Sequence, residues 1–123
     1  MGDIYETIAR WADESAEEAE ALLKELGKIP APSRSEDLRA AFVKKWFEHA
    51  GFSDVYIDGA KNVICPWSAV PGCELSVFMA HTDIVFPDTE ELPMRQEGRR
   101  LYAPGIGDDT ANLVHLMLAA RYV

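Results

Sequence analysis

The chain has 123 residues, 48% of them apolar and 27% charged, enough for one modest hydrophobic core and too apolar for global disorder. Twenty-one acidic against twelve basic side chains give a net charge of −9; such a surface repels phosphate backbones and anionic lipid, so neither a nucleic-acid nor a membrane partner is expected. The opening residues Met1-Gly2-Asp3 carry no secretory signal, the late apolar stretch from Leu113 to Val123 is too short to span a bilayer, and two lone cysteines, Cys65 and Cys73, form no disulfide framework, so a cytoplasmic protein with reduced thiols is expected.

In chain order, Ile4, Ile8, Trp11, Ala19, Leu22, Leu23 and Leu26 follow helical spacing, with Asp13, Glu14, Glu17, Glu18 and Glu20 on the solvated side. A capping box from Ser15 to Glu18 predicts a split in this segment, and Gly27 predicts its end. Ile29-Pro30-Ala31-Pro32-Ser33 must be extended, because a residue before proline avoids the helical region. Ser33 with Glu36 reads as a second capping box, opening a helix with Leu38, Ala41, Phe42, Val43, Trp46 and Phe47 on its inner side and Gly51 as its stop. Val55-Tyr56-Ile57 and Val63-Ile64-Cys65 read as two strands around Asp58-Gly59.

Beyond Pro66 and Pro71, the nearly continuous apolar run Leu75 to Ala80 suits a strand buried on both faces of a helix-covered sheet. Gly98 predicts the turn of a minor hairpin returning through Leu101-Tyr102, and from Thr110 the pattern of Leu113, Val114, Leu116, Met117 and Leu118 is helical. That helix carries no stop signal, so the expectation is an N-terminal piece of a longer protein, cut inside an α/β domain.

Two motifs carry chemistry. The apolar run ends in His81-Thr82-Asp83, and Pro104-Gly105-Ile106-Gly107-Asp108-Asp109 then delivers two adjacent carboxylates to the start of a helix. In open α/β sheets, sites gather beyond the carboxyl ends of strands. Asp83 is placed to accept the imidazole N–H that faces away from a metal, holding the ring and raising its basicity. The bland reading of Asp108 and Asp109 is a helix cap plus a first-turn charge. It leaves Gly105 and Gly107 unexplained, since glycines allow unusual torsions and close approach. The competing reading of Gly105-x-Gly107 as a dinucleotide fingerprint lacks its third glycine, because Thr110 stands there, and two carboxylates would repel a pyrophosphate.

Met79-Ala80-His81-Thr82-Asp83 and Tyr102-Ala103-Pro104-Gly105-Ile106-Gly107-Asp108-Asp109 resemble the two N-terminal metal motifs of the zinc exopeptidase family that contains tripeptidase T, glutamate carboxypeptidase and aminoacylases. The lead-in Ile29 to Ser33 with Glu36, then Gly51-Phe52 and Asn62-Val63-Ile64, fall where the family has similar segments. One departure is Thr110, where many members carry lysine.

The resemblance implies a three-layer α/β/α catalytic domain with a mixed, largely parallel sheet, of which residues 1–123 are the N-terminal part. It implies that His81 binds one of two zinc ions, that Asp108 bridges both, and that Asp83 is the catalytic supporting acid that orients His81. Asp109 shapes the bridge without touching metal, and Gly105 and Gly107 support the loop. The family's Glu-Glu pair, further acidic ligand, distant histidine and inserted dimerisation domain are not in this chain. The implied activity is zinc-dependent hydrolysis of amide bonds in small peptides or N-acyl amino acids, in a homodimer formed through that further domain. The fragment alone is expected to be inactive, since a catalytic zinc takes about three protein ligands plus water. A non-catalytic relative acting as a binding or scaffold module is the alternative.

Overall fold

Four helices carry the structure, a computed structural model that describes residues 2–68 and 70–123. Helix α1 (Ile4–Glu14) is capped by Asp3, whose carboxylate accepts the Tyr5 N–H at 3.1 Å. The predicted split falls at Ser15, and α2 (Ala16–Lys28) follows directly, although the Ser15 hydroxyl makes no capping bond. Gly27 does not stop the helix. It lies inside α2, buried, where an added Cβ would stand 2.7 Å from Met94 Cε and 2.8 Å from Ile106 Cδ1. Its small size admits neighbours; it does not break the chain.

Helix α3 (Asp37–His49) begins one residue after Glu36 and ends at Ala50, with Gly51 at φ +97°. The predicted Ser33 cap is not formed, because Ser33 bonds to a distant carboxylate and Glu36 accepts the Arg34 N–H. The inner face also differs from the expected one. Arg39, Ala40, Val43 and Phe47 are buried, whereas Leu38 is exposed.

Strands β1 (Tyr56–Ile57) and β2 (Val63–Ile64) pair antiparallel, and Asp58 organises their loop by accepting the N–H groups of Ala60 and Asn62. Strands β3 (Arg95–Glu97) and β4 (Arg100–Tyr102) form the predicted hairpin around Gly98. Helix α4 (Ala111–Tyr122) closes the fold.

The core joins Leu22 and Leu26 of α2, Val43 and Phe47 of α3, Val55, and Leu113, Val114, Met117 and Leu118 of α4. Arg121 clamps α4 to α2 through two 2.6 Å bonds to the Glu18 carboxylate, holding that carboxyl below its ordinary pKa. The molecule is thus a mixed α and β fold with two small antiparallel sheets.

The expected buried strand from Leu75 to Ala80 is not formed. No backbone N–H or C=O from residue 74 to 80 bonds to any described residue, and Leu75, Val77, Phe78 and Met79 are all exposed. A strand needs a neighbour to satisfy its backbone, and apolar composition supplies none. Among the described residues the single parallel contact is the bridge of Pro32 with Ile84, just beyond the run. No described helix is long and apolar enough to cross a membrane.

Candidate metal centre

The lead-in loop sets the geometry. The Ile84 N–H donates to the Ala31 carbonyl at 2.8 Å, and the Pro32–Ile84 bridge lays residues 81–84 alongside residues 29–33. Ser33 thereby reaches Asp83, and its hydroxyl donates to Asp83 Oδ2 at 2.5 Å. Below this contact Ile84 is buried against Gly105. A Cβ at Gly105 would meet Ile84 Cγ2 at 2.4 Å, and Gly105 adopts φ +67°, so both sterics and torsion demand glycine there. Gly107 has neither property. Its φ is not left-handed and a built Cβ would meet nothing within 4 Å, so the argument from unusual torsion and close approach holds for Gly105 alone.

The two motifs, 27 residues apart, meet at one imidazole. His81 Nδ1 lies 3.1 Å from Asp83 Oδ1 and 3.0 Å from the Asp83 carbonyl, while Nε2 lies 3.0 Å from Asp108 Oδ1. Both partners of Nδ1 are acceptors, so Nδ1 carries a hydrogen. In the neutral ring Nε2 is then a lone pair facing a carboxylate oxygen, and a cation must lie between them: a proton, or a metal. Two ligands of one tetrahedral zinc stand about 3.4 Å apart, so a small opening of this contact would admit the ion.

The remaining carboxylate is occupied otherwise. Asp109 Oδ2 accepts the His81 backbone N–H at 3.2 Å, and Oδ1 accepts from Asn112 Nδ2 at 2.6 Å. The Asp108–Asp109 peptide bond is cis. Asp108 itself is 86% exposed and keeps its carboxylate open to solvent.

The electrostatics follow from these contacts. Partial burial pulls the His81 pKa down, but the Asp108 bond, the Asp83 carbonyl and the charges of Asp83 and Asp109 outweigh it, and the net shift is upward. The Ser33 hydroxyl holds the Asp83 carboxyl below its ordinary value, with burial opposing and the His81 charge adding to the depression. As a metal site the donor set fits in part. His81 Nε2 and Asp108 are placed to hold an ion and Asp83 to support the ring, yet no three His, Cys, Asp or Glu side chains among the described residues are grouped to hold one unaided.

Two roles in this region go beyond what the sequence indicates, which marks Thr110 only as a helix start and a departure from the family and does not single out Arg39. Thr110 is buried, and its hydroxyl donates to the Gly105 carbonyl at 3.0 Å, closing the loop that carries Asp108. Arg39 is fully buried behind both motifs. Its signal in sequence was its place four residues before Val43 and eight before Phe47, on the stripe that faces the core. Compared with known proteins, the chain matches no family model and no curated protein, so the resemblance to zinc exopeptidases rests on the motif residues themselves.

Proposed function

We propose that residues 1–123 furnish one wall of a two-zinc hydrolase centre that cleaves amide bonds in small peptides or N-acyl amino acids. His81 is the ligand of one zinc, Asp108 the bridge between two, and Asp83 the acid that fixes the imidazole. The observation that carries this reading is the 3.0 Å approach of His81 Nε2 to Asp108 Oδ1 while Asp83 engages the other ring nitrogen. Zinc, when bound, supplies a Lewis acid that polarises a carbonyl and lowers the pKa of water. The chain's own part is orientation: Asp83 keeps a lone pair on Nε2, Ser33 keeps Asp83 ionised, and Asp109 holds the His81 backbone.

The other ligands and the general base belong, in this proposal, to residues outside these 123, as does a dimerisation domain; the cytoplasmic location is part of the same proposal. The finer fold, a three-layer α/β/α domain with a largely parallel sheet, is part of the same proposal; the apolar composition of Leu75 to Ala80 and the parallel bridge of Pro32 with Ile84 support it.

Zinc titrated calorimetrically into this chain is expected to bind weakly, in the micromolar range or above, and not at all after His81→Ala or Asp108→Ala. Dipeptides should not be turned over. Tight zinc with turnover would overturn the half-site, and binding indifferent to both substitutions would overturn the ligand assignment. A non-catalytic binding module is the second reading, favoured by the incomplete ligand group among the described residues; a longer form of the protein that loads zinc and binds dipeptides without cleaving them would decide for it.

A further inference from the structure

Arg39 is the largest fully buried side chain, on a core-facing position of α3 where an aliphatic residue would pack without cost. Its guanidinium makes no bond to a carboxylate. Nε donates to the Ile29 carbonyl at 2.8 Å, and Nη1 donates to the Thr82 carbonyl at 3.2 Å and to Thr110 Oγ1 at 2.9 Å. Nη2 has no partner, the one such buried side-chain nitrogen or oxygen among the described residues. A buried cation with an idle amino group is a poor device for stability, since an apolar side chain of similar volume usually serves as well. Its three acceptors have one thing in common. Thr82 lies between His81 and Asp83, Thr110 directly follows Asp109 and ties back to Gly105, and Ile29 opens the loop that brings Ser33 to Asp83.

We propose that Arg39 is a positioning residue, whose single rigid fork fixes the His81 loop, the Asp108 loop and the lead-in loop at the separation that lets His81 and Asp108 share one cation. Fork geometry is essential, because the acceptors are met from two separate nitrogens, Nε and Nη1, and a lysine offers a single ammonium nitrogen on a flexible stem. Burial pulls the Arg39 pKa down, and the charge of Asp83 opposes that shift only in part. The metal consequence rests on the proposed zinc reading; the ordering of the loops does not.

Amide hydrogen exchange on the 123-residue chain separates the two. The Ile84 N–H, bonded to the Ala31 carbonyl and buried, reports the joint of the loops, and the Met117 N–H in α4 reports the core. Arg39→Lys keeps the charge and leaves the Thr110 bond to Gly105 intact, whereas Thr110→Val removes one acceptor together with that bond at nearly constant volume. Both are expected to speed Ile84 exchange roughly tenfold or more while Met117 changes less than about threefold, and to weaken zinc binding roughly tenfold. Unchanged Ile84 exchange overturns the proposal, as does equal acceleration at Met117, which would make Arg39 a core residue only. Full retention of protection in Arg39→Lys overturns the fork. Zinc binding lost in His81→Ala but intact in both variants also sinks the positioning role and leaves the zinc reading standing. If Ile84 responds while the unmodified chain binds no zinc, Arg39 keeps its role and the zinc reading falls.

Discussion

Ser33 and Asp83, fifty residues apart in the chain, are joined by a 2.5 Å hydrogen bond that leaves the second oxygen of Asp83 for His81. The carboxylate is a relay of orientation from the lead-in loop to the imidazole. Ser33→Ala should raise the Asp83 pKa toward its ordinary value and free the His81 ring. A loss of zinc affinity of roughly tenfold is expected, the usual scale for a lost outer partner of a ligating histidine, with the helical circular dichroism unchanged. Equal zinc affinity in the variant, measured by calorimetry, would show that the relay is idle.

Gly105→Ala should cost about 2–4 kcal/mol, from the overlap with Ile84 together with the left-handed torsion. Combining it with Ile84→Ala removes the 2.4 Å clash with Cγ2 but leaves the Ile84 Cβ at 3.0 Å and the torsion unchanged. The double variant should therefore be more stable than the sum of the singles by about 1 kcal/mol or more, read from urea denaturation. Strict additivity would mean the two residues do not press on each other.

The site responds to pH in opposite senses with and without metal. The His81 pKa is raised, so its contribution to the metal-free fold is complete below the unfolded value of about 6.5 and fades as pH rises through the folded one. The Asp83 pKa is lowered, so its contribution is present above about 3.9 and fades as pH falls through the folded one. His81→Asn should thus lower Tm more at pH 5.5 than at pH 8.5. The difference will be small, since the imidazole is half exposed. Zinc must displace the proton between His81 and Asp108, so its affinity should rise with pH over the same interval. A pH-independent zinc affinity would contradict the shared-cation geometry.

Phe78 is 79% exposed with no strand beside it. In this chain Phe78→Lys should leave stability within about 0.5 kcal/mol while reducing light scattering at high concentration, because it places a charge in an uncharged apolar segment. A large drop in Tm would mean that the segment is packed in solution.

Much of the fold was legible because helices announce themselves locally. The break at Ser15, helices α3 and α4 and the Gly98 hairpin follow from periodicity and turn chemistry. The misreadings share one cause, which is that their explanation lies far away in the chain. Gly27 has the composition of a stop but is used as a gap for Met94 and Ile106. Ser33 has the spacing of a cap but is claimed by Asp83. The apolar run at Leu75 reads as a buried strand, although pairing is a property of two segments and only one was visible. Within the site, the contact of Asp83 with His81 could be anticipated from residue type and order, and the approach of Asp108 from the resemblance that the two motifs carry. Arg39 could not, since arginine is ordinarily a surface residue and only its phase on the helix hinted at burial.

The parallel bridge between Pro32 and Ile84 has a consequence for which changes in length the chain can accept. Successive residues of an extended segment face opposite ways, so this bridge fixes the alternation that turns Asp83 toward Ser33 and Ile84 into the interior. One residue inserted between His81 and Ile84 would invert that alternation, sending a carboxylate inward and an isoleucine to the surface. The exposed hairpin tip at Gly98 has no such phase to keep and can be lengthened freely. Indels should therefore be tolerated at Gly98 and purged from the four residues that carry the imidazole and its acid.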